Sequence, residues 1–265
     1  MEMNHDFAGG TEPAFIHPDR PEARFRPLKA LHHFRELIKD KEDTAQVFHI
    51  FESLPRPGFR TDAEAFVYSD KGKGLRVSEP HLPNLLDDHE RLRKLPAGSL
   101  AHAYCDFMEK EGLSAAGLVE EFDRFAPKQY GDLIEWYGHR QRDTHDLLHI
   151  LTGYGRDALG EQCVLAFTFG QNPAIANIFI AYAGGLNMKK QVKSDAPVFK
   201  AIREAQKMGK ACPRISEENI TELLAQPLDE LRKKLNMTPP KFYRQAHEQY
   251  RADGIDPYDM LAQAS

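Results

Sequence analysis

Apolar residues recur along this chain at helical spacing. Leu28, Leu31, Phe34, Leu37 and Ile38 fall three and four apart, the period of one face of an α-helix. After Asp43, an expected N-cap, Val47, Phe48, Ile50, Phe51 and Leu54 repeat the pattern until Pro55 and Pro57 stop it. Residues 82–95 return to it. Ser99 is the expected cap of a helix carrying Leu100, Tyr104, Phe107 and Met108. A short helix is predicted over residues 114–125, and one longer helix over residues 129–150 with Leu133, Trp136, Tyr137, Leu147, Leu148 and Ile150. Residues 58–80 break the rhythm. Phe66-Val67-Tyr68, a Lys-Gly-Lys-Gly turn, then Leu75 and Val77 predict a small hairpin or a plain loop.

Residues 162–188 carry no charge, long enough for a membrane span. Gly170-Gln171-Asn172-Pro173 interrupts the stretch, which predicts two apolar helices, buried or in contact with lipid. The chain then turns basic, with eight Lys/Arg against two acids over residues 189–214. Further helices are expected over residues 216–235 and 240–251. The fold class is therefore all-α: a single multi-helix domain over residues 28–238, in which the metal site expected from the residues described below would sit between helices. A flexible, disordered N-terminal arm (1–27), rich in Pro, Gly and charge, precedes it, and a helical tail (239–265) follows.

Composition narrows the function. Apolar residues make up 41% of the 265, enough for a sizeable core. The net charge of −5 argues against a nucleic-acid binder. Cys105, Cys163 and Cys212 lie far apart without a CxxC, as reduced, buried thiols do. The acids among the first 24 residues argue against a mitochondrial transit peptide, and no secretory apolar run is present. No GxGxxG fingerprint for a flavin or nicotinamide occurs.

The informative run is Arg140-Gln-Arg142-Asp143-Thr144-His145-Asp146-Leu-Leu-His149. On a helix His145 and His149 sit one above the other, and Asp146 lies within about 100° of them. Two imidazoles and a carboxylate suit Zn2+, and also Fe2+, Co2+ or nickel. Gly153, Gly155 and Gly160 let the chain turn back, so Asp157 or Glu161 is the candidate further ligand. The alternative is a solvated helix face. A HExxH protease is disfavoured because Asp146 stands where Glu is required. A His-Asp phosphohydrolase drawing on His102 or His139 and Asp157 is a rival.

His145, Asp146, His149 and Glu161, with eleven residues between the last two, resemble the His-Asp-x-x-His-x11-Glu signature of the ubiquinone (coenzyme Q) biosynthesis protein four family. Residues 151–155, 159–161, 96–100 and 228–238 are similar to its flanking segments. The resemblance implies an all-helical protein with a metal, usually zinc, held by His145, Asp146, His149 and Glu161. It implies C1 decarboxylation of a polyprenylated hydroxybenzoate at a membrane surface, with hydroxylation at that carbon in the oxidative version. It also implies association with other ubiquinone biosynthesis proteins, with a homodimer as one option. The expected location is cytoplasmic, peripheral on the inner membrane of a bacterium, or the matrix side of the mitochondrial inner membrane in a eukaryote.

Such a substrate needs a metal or cation for its carboxylate, room for its tail and access to the membrane. Asp146 and Arg142 are the candidate catalytic residues, the latter a cation three before His145, and Arg140 is a nearby candidate for substrate binding. Phe167, Phe169, Ile175, Ile178, Phe179 and Tyr182 are candidate tail contacts. Lys189, Lys190 and Lys193 lead the candidate membrane-facing segment. The competing reading is a lipid-binding scaffold with a structural metal.

Overall fold

The apolar stripes become inner faces of helices, which close on one large core and two smaller clusters. The computed structural model describes residues 12–39, 43–126 and 128–259. In chain order the helices are α1 (Pro27–Leu37), α2 (Thr44–Ser53), α3 (Phe59–Val67), α4 (Asp70–Ser78), α5 (Leu82–Leu86) and α6 (His89–Leu92). α7 (Leu100–Glu111), α8 (Ala115–Phe125), α9 (Leu133–Asp143), α10 (His145–Thr152) and α11 (Ala158–Gln171) follow. α12 (Ile175–Gln191), α13 (Val198–Ala211), α14 (Ile220–Leu224), α15 (Leu228–Lys234) and α16 (Lys241–Ala252) complete the α-helices of the described residues. Among the described residues there is no strand; Ser99 and Pro227 make an isolated antiparallel bridge. The protein is all-α and a single domain.

α11 is the central helix and lies along α12 and α13. Its backbone touches α13: a Cβ on Gly209 would fall 2.0 Å from the Phe167 carbonyl oxygen, so only glycine permits this crossing. α1 and α2 cover α12 through Ala30, Phe34, Ile50, Ala176 and Ile180. α3, α4 and α9 close a smaller cluster around Phe66, Val67, Leu75, Trp136 and Tyr137. No helix of the described residues is long and apolar enough to cross a membrane.

Several elements differ from the sequence expectation. Residues 58–80 are not a hairpin or a loop but α3 and α4. The Ser69 hydroxyl joins them, accepting from Gly72 N and donating to the Phe66 carbonyl. A Cβ at Gly72 would lie 2.0 Å from that same carbonyl oxygen, so the glycine that suggested a turn is required by a helix–helix approach. The helix expected over residues 82–95 is divided at Asp87, whose carboxylate accepts from Ala115 N and Ala116 N at the start of α8. The long helix expected over 129–150 is also two, broken at Thr144 (φ −86°, ψ 0°), whose hydroxyl donates to the Arg140 carbonyl.

Residues 12–26 of the expected arm have no helix, yet they are docked on α9. Leu133 N and Ile134 N donate to the Ala14 and Phe15 carbonyls, and Arg20 grips Asp132 at 2.7 and 2.8 Å. Residues 1–11 lie outside the described residues, as do 260–265. The C-terminal tail carries the helix expected over residues 240–251. α16 packs on α13 and buries Tyr243, Ala246, His247 and Tyr250.

Candidate metal centre

α10 ends at Gly153, whose left-handed backbone (φ 76°) turns the chain away. Asp157 then caps α11, its Oδ1 accepting from Leu159 N and Gly160 N at 3.2 Å. The turn is tight: a Cβ at Gly160 would lie 1.9 Å from the Gly155 carbonyl oxygen. This geometry lays the first turn of α11 against α10 and aims Glu161 at the two histidines.

His145 Nε2 and His149 Nε2 are 3.3 Å apart. Glu161 Oε2 lies 3.5 Å from His149 Nε2 and 3.7 Å from His145 Nε2. One oxygen of Asp146 and one nitrogen of each histidine all fall within 4.8 Å of one another. His149 Nδ1 lies 3.1 Å from the Tyr154 carbonyl and donates to it, which leaves the Nε2 lone pair facing the cluster. Phe107 of α7 stacks on the same imidazole at 5.8 Å. His149 is buried, whereas the His145 and Glu161 side chains are about one third exposed, so the cluster has a dry back and an open front.

Burial pushes the Glu161 carboxyl up, but His149 and His145 outweigh it and hold the group below the ordinary carboxylate range. Burial pushes the His149 imidazole down, and Glu161 outweighs that, so its pKa is raised. The N-terminal end of α11 also favours negative charge at Glu161. His145, Asp146 and His149, with Glu161 reaching both imidazoles across the turn, are donors of the kind a divalent cation takes, and the cation would take the place of the proton on His149.

The sequence candidates are distributed as follows. Arg142 is aimed elsewhere: its Nε pairs with Asp143 Oδ1 at 2.7 Å and its guanidinium lies over the Phe122 ring. Arg140 is a buried structural cation, bound to Glu79 Oε2 at 3.0 Å and to the Ser216 and Glu218 carbonyls. Asp157 is occupied by the cap, and His102 Nε2 faces the Arg93 and Leu95 carbonyls, so neither joins the cluster a phosphohydrolase would need. Phe167 is fully buried in the core, and Phe179 packs edge-on against Phe34. Phe169 is half-buried. Ile175, Ile178 and Tyr182 share one side of α12, with Ile175 exposed and Tyr182 stacked on Phe199. Lys190 and Lys193 are exposed at the end of this helix, and Lys189 donates to the Ser194 carbonyl.

Sequence reasoning missed Arg156, whose Nε is 3.8 Å from Glu161 Oε1 and whose Nη1 is 4.0 Å from Glu111 Oε2. A lone cation inside a glycine turn between two ligands was the available signal. It also missed Tyr104, whose hydroxyl is buried without a hydrogen-bond partner; burial and then Asp146 push its pKa well up. Two cavities lie away from the cluster. One of about 160 Å³ is lined by His81, Trp136, His139 and Arg142, and another of about 410 Å³ by Lys200, Arg203, Lys207 and Phe242.

Comparison with known proteins gives the family. A relative from Kluyveromyces lactis, named ubiquinone biosynthesis protein COQ4, mitochondrial, is 26% identical over 78% of this chain and 61% of its own. A Bos taurus relative, named a mitochondrial COQ4 homolog, is 29% identical over 64% of this chain and 62% of its own. The match thus spans about three-fifths of the length of these curated relatives. A crystal structure of a Nostoc punctiforme protein shares the fold, with a TM-score of 0.56 at 18% identity, over 80% of this chain and 98% of that one. Residues 63–241, which contain the whole cluster, match the family described as coenzyme Q (ubiquinone) biosynthesis protein Coq4. This chain belongs to the Coq4 family.

Proposed function

We propose that this protein acts in ubiquinone biosynthesis as a metal-dependent enzyme that removes the C1 carboxylate of a polyprenylated hydroxybenzoate. The observation that supports the reading is the His145, Asp146 and His149 group on one helix, with Glu161 brought to both imidazoles across the glycine turn. A bound divalent cation, zinc by its donor set, supplies Lewis acidity towards a carboxylate or phenolate oxygen. The chain's own groups do the rest. The Tyr154 carbonyl fixes the tautomer of His149, and Phe107 keeps water from its buried side. Arg156, at the open front, presents a guanidinium fork to the substrate carboxylate, the role the sequence had suggested for Arg142.

The tail is proposed to lie along the side of α12 that carries Ile175, Ile178 and Tyr182, with exposed Leu186 and Phe199 continuing the strip. Lys189, Lys190 and Lys193 follow at its end, where an anionic membrane surface would meet them. Other proteins of the same pathway, and a second copy of this chain, are the proposed partners. The test is plasma mass spectrometry of purified protein beside a folded His145→Ala/His149→Ala variant, with turnover of a prenylated hydroxybenzoate. About one equivalent of zinc or iron, lost with turnover in the variant, is expected. No metal even after reconstitution would refute the reading.

A second reading is a lipid-binding scaffold with a structural cation. It is favoured by one observation: Ile175, Leu186 and Phe199 stay exposed on one stretch of surface, which a lipid could cover whether or not a cation takes part in chemistry. His149→Ala separates the two. Loss of turnover by a folded variant supports the enzyme, and loss of fold or of partner binding supports the scaffold.

A further inference from the structure

The turn between the two ligand-bearing helices is held from the far end of the chain. Asp157 is buried, and two of its hydrogen bonds come from α16. The Tyr243 hydroxyl donates to Oδ2, and His247 Nε2 lies 3.1 Å from Oδ1. The Tyr243 hydroxyl also accepts from Gly155 N at 3.0 Å. Its ring meets Tyr154 edge-on at 5.3 Å, and Tyr154 supplies the carbonyl that orients His149. Glu161 N in turn donates to the Asp157 carbonyl at 3.0 Å. The family match ends at residue 241, so both α16 side chains lie beyond it.

We propose that Tyr243 and His247 are positioning residues for the cation site, holding Asp157 so that Glu161 stays in reach of His145 and His149. A buried carboxylate must keep its donors. Asp157 has two backbone donors on Oδ1 and relies on Tyr243 for Oδ2. Without α16, that oxygen seeks water, the cap rotates, and the movement passes through the Asp157 backbone to Glu161. The inference rests on the metal reading above, but its structural half has a separate readout.

The experiment compares full-length protein with Tyr243→Phe, His247→Ala and His247→Gln, with Ala246→Gly as a control that loosens α16 without touching Asp157. Zn2+ affinity is measured by chelator competition, and amide hydrogen exchange of residues 153–161 is followed in metal-free protein. Tyr243→Phe and His247→Ala are expected to lose about tenfold in affinity, the low end of what disturbing a ligand's support costs, because they act on Glu161 through Asp157. Exchange at Leu159 and Gly160 should accelerate in both. His247→Gln, which keeps a donor, should restore most of the loss, and Ala246→Gly should retain affinity. Unchanged exchange in Tyr243→Phe and His247→Ala would overturn the proposal, as would an equal loss of affinity in Ala246→Gly. Absence of Zn2+ uptake by the unaltered protein would instead sink the metal reading, leaving the exchange result to decide the clamp.

Discussion

Removing the Glu79 carboxylate strands a cation in the core. Arg140 and Glu79 are 2% and 3% exposed, and the guanidinium also spans the Ser216 and Glu218 carbonyls. Burial lowers the Arg140 pKa while Glu79 raises it, so the pair is needed to keep the charge comfortable. Glu79 Oε1 further accepts from Thr221 N at 2.6 Å and from its hydroxyl at 2.7 Å. Breaking a buried pair by deleting one partner costs about 3–5 kcal/mol, and orphaned donors add to it. Glu79→Ala should therefore cost about 5 kcal/mol, a large part of a typical total stability. For a chain of this size that is a fall of roughly 10–20 °C in Tm. Urea titration followed by far-ultraviolet circular dichroism measures it. The double variant Glu79→Leu/Arg140→Met should recover more than half of the loss, because no charge is left unpaired. A Glu79→Ala cost below about 1 kcal/mol, or a double variant worse than the single, would refute the reasoning.

Three further outcomes are expected. Gly160→Ala drives a methyl into the Gly155 carbonyl and should cost at least about 2 kcal/mol in urea titration, with loss of cation binding; retention of both would contradict the tight turn. Burial raises the Asp132 pKa, but Arg20 and the His17 and Glu135 amides outweigh it, so the folded value is lowered. Its contribution is present above the ordinary carboxylate pKa and lost as pH falls through the folded value. Limited proteolysis should thus release residues 12–26 on acidification, and at higher pH in Arg20→Ala. Because the His149 pKa is raised in the metal-free protein, cation binding should expel a proton and weaken with acidification, measurable by calorimetry in two buffers of different ionisation enthalpy.

The sequence was most readable where structure is local. Ser99 caps α7 as expected, and Leu100, Tyr104 and Met108 bury on its inner face. The Gly170–Pro173 interruption separates α11 from α12. His145 and His149 share a face because a helix places residues four apart together, and the glycine turn brings Glu161 back to them. What was hidden depends on distant partners. Arg140 looks like a free cation until Glu79, sixty-one positions away, is placed against it. Gly72 and Gly74 read as a turn because the Phe66 carbonyl that requires Gly72 belongs to another helix. The break at Thr144 leaves no apolar signature, since both halves keep helical spacing.

The Gly153–Asp157 turn also makes the distance between His149 and Glu161 a matter of phase. After His149, three residues finish α10, five form the turn and three open α11 before Glu161 appears. One residue added at the start of α11 would rotate Glu161 by about 100° and carry its carboxylate off the histidine face. One residue removed would rotate it the other way. The eleven-residue interval therefore behaves as a ruler rather than a linker: a substitution inside it acts through what that side chain touches, whereas a change in its length moves the ligand itself.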